Sequence, residues 1–328
     1  MTAGIPRTVA VVGATGCVGR HVCDAFTRAG HDVVALARRA PAGPGRHPHR
    51  FLACDPAGLA PRDLADLFQD ARVDTVVNAA GGWLNTEDDN RYHHVRLVER
   101  LLAGTALMAR TPRLVQIGSV HEYGPVPAGD AVDESREPRP VTVYARTKHA
   151  GSQAVLRATR AGDADGVVLR AVNVCGPWVT PASFLGTVTR RLSEAAPGEP
   201  VELTLSDARR DFVDGRDLAD AVLRAATRPV TGEIFNIGRG EALPIRSLVA
   251  LLLDVAGLPP GTVKERLQEV ASRGGDWTRV DTRRARRLLG WRPRIDLRTS
   301  LHDMWREALT GLPPATGSHG DGYRESAL

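Results

Sequence analysis

Lysine is almost missing from this chain. Of its 43 basic residues only Lys148 and Lys264 are lysines, and arginine supplies the rest. Aromatic residues make up 5% of the sequence. Single-stranded nucleic acid is gripped by a basic stripe with stacking rings. Scattered arginines with few rings argue against that class and suit either a site for small anions or solvated surface. No apolar run nears the ~20 residues needed to cross a bilayer. The first strand-like run starts at about Thr8, which leaves no room for a signal peptide, so a cytoplasmic location is expected. Cys17, Cys23, Cys54 and Cys175 form no C-x-x-C pair. Free thiols in a reducing compartment are expected, and no metal site.

What is present is alternation. "TVAVVG" (8–13), "DVVALA" (32–37), "RFLACD" (50–55), "DTVVNAA" (74–80), "RLVQIGS" (113–119) and "GVVLRAVNV" (166–174) read as strands with helical stretches between them, the first over about 17–29. Unbroken Val, Ile and Leu suit parallel strands buried on both faces. The expected fold class is α/β, a doubly wound parallel sheet with a smaller interleaved C-terminal lobe. Further strands are predicted at "PVELTL" (200–205) and "GEIFNIG" (232–238), with helices near 217–227, 244–256, 282–289 and 299–309. The predicted division is 1–172 with 212–237 for the sheet domain and 173–211 with 238–312 for the second lobe. Residues 313–328, in a stretch rich in Gly, Pro and Ser, are expected to be a disordered tail.

"VVGATGCVGRHV" sets Gly13, Gly16 and Gly19 at the first strand-to-helix turn. Glycine there permits a tight turn and close approach of backbone N–H groups to a pyrophosphate, helped by the helix dipole. The strand–turn–helix context marks a dinucleotide site. Thr15 and Val18 in that turn, and Asn78, Ala79 and Ala80 at the end of the strand 74–80, are further cofactor candidates. A site for NAD usually ends its second strand on an acid; this one ends on Arg38 and Arg39. Guanidinium suits a 2′-phosphate, so NADP(H) is the predicted cofactor, unless both arginines simply face solvent. Asp55 is a candidate acceptor for the adenine amino group.

"VYARTKHAG" (143–151) places Tyr144 and Lys148 one helical turn apart, on one face. A phenol with a pKa near 10 is a reluctant proton donor at neutrality, and a nearby ammonium lowers that value. Lys148 is therefore expected to acidify Tyr144 and to reach cofactor hydroxyls. Ser119, in "QIGSVHEYG" (116–124), sits at a strand's C-terminal edge, where its hydroxyl can polarise a substrate oxygen or merely satisfy the backbone.

Taken together, these motifs resemble the extended branch of the short-chain dehydrogenase/reductase family, in order over about residues 8–310. The resemblance implies a Ser–Tyr–Lys catalytic set at Ser119, Tyr144 and Lys148. "RAVNVCGP" (170–177) is similar to the segment whose asparagine, Asn173, contacts a substrate diphosphate. "RRDFVDGRDLADA" (209–221) implies a phosphate-binding role for Arg210. "RGGD" (273–276) implies Arg273 on the diphosphate and Asp276 on a ribose hydroxyl. A nucleoside-diphosphate sugar is thus the implied substrate, and a homodimer the implied assembly.

Departures from the family pattern narrow the reaction. Where sugar 4,6-dehydratases carry Asp-Glu after the serine, this chain has Val120 and His121. His121 is a substrate-site candidate, for packing or for proton exchange. His94 stands where the family has an asparagine. "IGSVHEYG" (117–124) is similar to the stretch found in reductases of 4-keto-6-deoxy sugar nucleotides. The expectation is NADPH-dependent reduction of such a 4-keto sugar carried on dTDP. A 4-epimerase holding NAD tightly is the alternative, and a non-catalytic NADP sensor a second one.

Overall fold

The computed structural model describes residues 7–40, 49–196, 198–266 and 275–310. Strands β1 (Thr8–Val12), β2 (Asp32–Ala37), β3 (Arg50–Ala53), β4 (Val73–Asn78), β5 (Arg113–Ser119) and β6 (Asp165–Ala171) alternate with helices. The helices are α1 (Cys17–Arg28), α2 (Pro61–Asp70), α3 (Glu87–Arg91), α4 (Leu97–Ala106) and α5 (Val143–Ala161). Beyond them come β7 (Asn173–Cys175), α6 (Phe184–Glu194), β8 (Val201–Leu203), β9 (Arg209–Arg210), β10 (Phe212–Asp214) and α7 (Gly215–Thr227). β11 (Ile234–Ile237), β12 (Leu243–Pro244), α8 (Ile245–Val255), β13 (Val263–Glu265) and α9 (Leu297–Leu309) complete the order.

Seven parallel strands form the main sheet in the order β11-β6-β5-β4-β1-β2-β3. Strand order reverses beside β1, and it is outside the carboxyl ends of the strands at such a point that doubly wound sheets form their ligand crevice. Successive side chains serve opposite faces. Val9 and Val11 join a core with Phe26 of α1 and Leu218 of α7, whereas Ala10 and Val12 pack with Phe68 of α2 and Leu101 of α4. Both faces are covered, which is why the strands read as unbroken apolar runs. A third core joins Val188 of α6, Leu203 of β8, Leu252 of α8 and Met304 of α9 into the smaller lobe.

Two predicted elements changed form. The run 166–174 divides: β6 ends at Ala171, Val172 N–H still donates to Ile237 (3.0 Å), and β7 leaves to pair with β10. The helical stretch expected between the strands 74–80 and 113–119 is interrupted by a π-helical turn, Tyr92–Arg96, between α3 and α4. Such bulges recur at functional sites. The predicted tail lies outside the described residues. At the sheet edge away from the crevice, Arg113 opens β5. Its guanidinium donates to Asp165 (2.8 Å), to the carbonyls of Ala225 (2.9 Å) and Arg228 (2.7 Å), and to Thr231 (3.1 Å). No described helix is long and apolar enough to cross a membrane.

Candidate active site

The turn after β1 shows why three glycines are needed. Gly13 has φ +79°, and a Cβ there would lie 2.9 Å from the Ala80 backbone. A Cβ on Gly19 would lie 2.1 Å from the Gly13 carbonyl oxygen, so α1 packs against the turn only with glycine. Gly16 is exposed and has nothing but that carbonyl nearby. It caps α1 with no side-chain partner, so the first-turn N–H groups of Cys17, Val18 and Gly19 are available to an anion. Thr15 uses its carbonyl to accept from Arg20 (3.1 Å). Ala79 N–H donates to Val12 (3.0 Å), and Asn78 bonds Gln116 (2.9 Å) while accepting from Ala80 N–H (3.2 Å). The ends of β1 and β4 are thereby locked side by side beneath the turn. A Cβ at Gly13 or Gly19 would collide with this backbone and force the turn open, and the unpartnered N–H groups at the start of α1 fit the pyrophosphate of a dinucleotide.

Arg38 and Arg39 follow β2 directly and are both exposed. Asp55 lies two residues beyond β3, half-buried, and its carboxylate already accepts from Tyr92 OH (3.0 Å) and Ala57 N–H (3.1 Å). Tyr92 sits at the start of the π-helical turn. Burial and the Asp55 carboxylate raise its phenol, while Arg96 and Arg38 pull it down. Arg38 thus lies within electrostatic reach of the Asp55–Tyr92 pair.

Ser119 ends β5 and caps the short 3-10 turn Val120–Tyr123. Its N–H donates to Glu122 (2.8 Å) and its hydroxyl accepts from His121 N–H (3.3 Å). That hydroxyl also faces the phenol of Tyr144 closely enough to favour its ionised form. Tyr144 and Lys148 project from α5, which Thr142 caps by accepting from Ala145 N–H (3.1 Å). The expectation that Lys148 acidifies Tyr144 needs correction. Burial pushes the phenol up to about 12, partly opposed by Ser119, and Lys148 is not among its main influences. The Lys148 ammonium donates instead to the Ile117 carbonyl (2.6 Å), and burial drags it down to about 8 against the pull of Glu122.

Glu122 is fully buried beneath this set. It accepts from Ser152 (2.9 Å) and from Arg170 (2.9 Å), whose guanidinium lies 4.4 Å from the Tyr123 ring centroid. Burial would raise its carboxyl, but His149 beside it (3.7 Å), then Arg170, the Ser119 N–H and Ser152 hold it below the usual range. A buried pair so bonded is costly to break from one side, at about 3–5 kcal/mol.

An aromatic cluster surrounds the phenol. Trp83 stacks on Tyr144 with centroids 4.1 Å apart and planes 15° apart. His94 and His121 meet Tyr144 edge-on at 5.3 and 6.1 Å. His94 lies 2.8 Å from Thr147 Oγ1 through Nδ1 and 3.2 Å from the Gly82 carbonyl through Nε2. A neutral ring meets both if Nε2–H donates to Gly82 and Nδ1 accepts from the threonine hydroxyl. Burial, with Lys148 nearby, pushes His94 down to about 3. Burial and Arg210 push His121 to about 4, so both rings are neutral at pH 7. A neutral His121 suits packing better than proton delivery.

Of the residues expected to meet substrate, Arg210 is buried, donates to Thr278 (3.1 Å), and acts on His121 through its charge. Asp276 is exposed, accepts from Arg209 N–H through its carbonyl (2.8 Å), and acts electrostatically on Arg210. Asn173 donates to the Asp211 carbonyl (3.0 Å) and so lies beside that segment. Arg273 lies outside the described residues. Trp83, Glu122, Thr147 and Arg170 were not anticipated. A tryptophan directly after two glycines beyond a strand end, and the glutamate inside "IGSVHEYG", were the readable signals.

The sequence profile of the NAD dependent epimerase/dehydratase family matches residues 9–238. The chain is 41% identical to a dTDP-6-deoxy-L-talose 4-dehydrogenase (NAD(P)(+)) of Kitasatospora kifunensis, over 92% of this chain and 95% of that one. It is 28% identical to a GDP-6-deoxy-D-mannose reductase of Pseudomonas aeruginosa, over 89% and 93%. Among solved structures, MoeE5 in complex with UDP-glucuronic acid and NAD superposes with a TM-score of 0.78 at 27% identity, covering 93% of this chain and 100% of that one.

Proposed function

The chain belongs to the NAD dependent epimerase/dehydratase family, and from that premise we propose that it is a ketoreductase of nucleotide sugars. Its substrate in this reading is a nucleoside-diphosphate 4-keto-6-deoxyhexose, carried on dTDP, and its cofactor NADPH. The observation that carries the reading is the Ser119–Tyr144 contact at the carboxyl edge of β5, beside the glycine cradle. Likeness over nearly the whole chain to a dTDP-6-deoxy-L-talose 4-dehydrogenase supports the sugar and the base. Exposed Arg38 and Arg39, with no acid in their place, support NADPH.

Gly13, Gly16 and Gly19 would hold the pyrophosphate, Arg38 and Arg39 the 2′-phosphate. The bound dinucleotide supplies a hydride to the carbonyl carbon. The protein's residues handle the oxygen. Ser119 donates a hydrogen bond to it as negative charge develops. Tyr144 gives it a proton, and a phenol raised to about 12 is reliably protonated at pH 7. Lys148 contributes a buried positive charge below the site. Arg210, Asn173, Asp276 and Arg273 would hold the nucleotide, the smaller lobe supplying most of that grip. A homodimer and a cytoplasmic location belong to the same proposal.

The test is a screen of dTDP-, GDP-, CDP- and UDP-linked 4-keto sugars for NADPH and NADH oxidation, with wild type and Tyr144→Phe. We expect turnover with dTDP and NADPH, and a loss of roughly 100-fold or more in Tyr144→Phe with NADPH affinity nearly intact. Near-normal turnover in that variant would remove Tyr144 from the chemistry. Purified protein carrying stoichiometric NAD, converting substrate without added NADPH, would favour a 4-epimerase instead. NADPH binding with no turnover of any sugar would favour the sensor.

A further inference from the structure

We propose that Trp83 determines sugar specificity, its outward indole face serving as the platform for the apolar C5–C6 end of a 6-deoxyhexose. This inference rests on the reading of the substrate given above. Trp83 follows Gly81 and Gly82, and Gly81, at φ +97°, takes a turn that favours glycine. One face of the indole is taken by the Tyr144 ring at 4.1 Å. Its flank meets His121 at 5.6 Å. Trp83 is nonetheless 39% exposed, among the few large apolar residues so open.

Position gives that exposure a meaning. Trp83 touches both Tyr144 and His121, and His121 in turn lies within reach of the Arg210 charge. The series Tyr144, Trp83, His121, Arg210 therefore runs from the proton donor to the cation that would hold a diphosphate. A hexose bonded to that diphosphate and reacting at its carbonyl must cross this interval. The wall it meets there is aromatic and uncharged. An indole face packs well against C–H groups and offers no partner to a hydroxyl. A 6-methyl group is thus accepted, whereas a 6-hydroxyl would be stripped of water against the ring. Discrimination of this kind by an apolar surface is on the order of 10- to 100-fold.

The experiment measures oxidation of dTDP-6-deoxy-L-talose and of dTDP-L-talose with NADP+, for wild type, Trp83→Phe and Trp83→Ala. Melting temperatures of the variants confirm that each is folded. Wild type should favour the 6-deoxy sugar by about 10- to 100-fold in kcat/KM. Trp83→Ala should bring the ratio to within about threefold, chiefly by raising KM for the 6-deoxy sugar, with Trp83→Phe between. An unchanged ratio, or an equal fall for both sugars carried by kcat alone, would overturn the inference. The second result would mean that Trp83 only steadies Tyr144. Tryptophan emission titrated with the 6-deoxy nucleotide sugar, without dinucleotide, separates this inference from the activity. Quenching in wild type and its loss in Trp83→Phe supports the platform even if no sugar is oxidised, while quenching unaltered in Trp83→Phe refutes it.

Discussion

His94 shows how one side chain links the site to acid stability. Its folded pKa is about 3, against 6.5 when unfolded, because burial and Lys148 both oppose a proton. The unfolded chain therefore takes up the proton first as pH falls. The stabilisation from keeping this ring neutral is complete above pH 6.5 and drains away toward pH 3. At pH 4.5 the loss amounts to about 2 to 3 kcal/mol for a fully buried ring. Asparagine cannot titrate there. Urea unfolding of His94→Asn at pH 7 and pH 4.5 should show a pH penalty smaller than that of wild type by about that amount. An equal penalty in both proteins would assign the acid sensitivity elsewhere.

Among the elements, the β1–α1 turn was the most legible. Its glycines, its strand and its helix are contiguous in sequence, so spacing alone expresses the geometry. Gly19→Ala should lower the melting temperature and weaken NADPH binding at least tenfold, because the new Cβ would lie 2.1 Å from the Gly13 carbonyl oxygen. Isothermal titration and a thermal melt check both. β7 was less legible. The run 166–174 is mostly apolar with no break signal, and the strand that draws Asn173 out of the sheet, Phe212–Asp214, lies some forty residues on. The stack of Trp83 on Tyr144 was invisible for the same reason, since those residues lie far apart in sequence. The motif "IGSVHEYG" displayed Glu122, but its partner Arg170 comes from the next strand, so the buried ion pair could not be read there.

Across the whole molecule the sheet separates duties by its edges. The carboxyl edge carries the cradle, Ser119 and the end of β6. The amino edge carries Arg113, only 11% of whose side chain is exposed, and which ties β5 to Asp165, to Thr231 and to the end of α7. Arg113→Ala should lower unfolding free energy by about 1–3 kcal/mol, since two carbonyls lose their donor while Asp165 keeps only Thr231. Its kcat should stay within twofold of wild type. Chemical denaturation beside steady-state assay tests the separation, and a parallel loss of kcat would show that the edges are not independent.

The scarcity of lysine has a practical corollary at this scale. Of the two side-chain amines, Lys264 is exposed and Lys148 is 4% accessible, clasped to a carbonyl inside the protein. An acylating reagent applied to the native chain meets the first and is denied the second. Acylation at position 148, read by mass spectrometry, is therefore a built-in clock for how often α5 parts from the sheet.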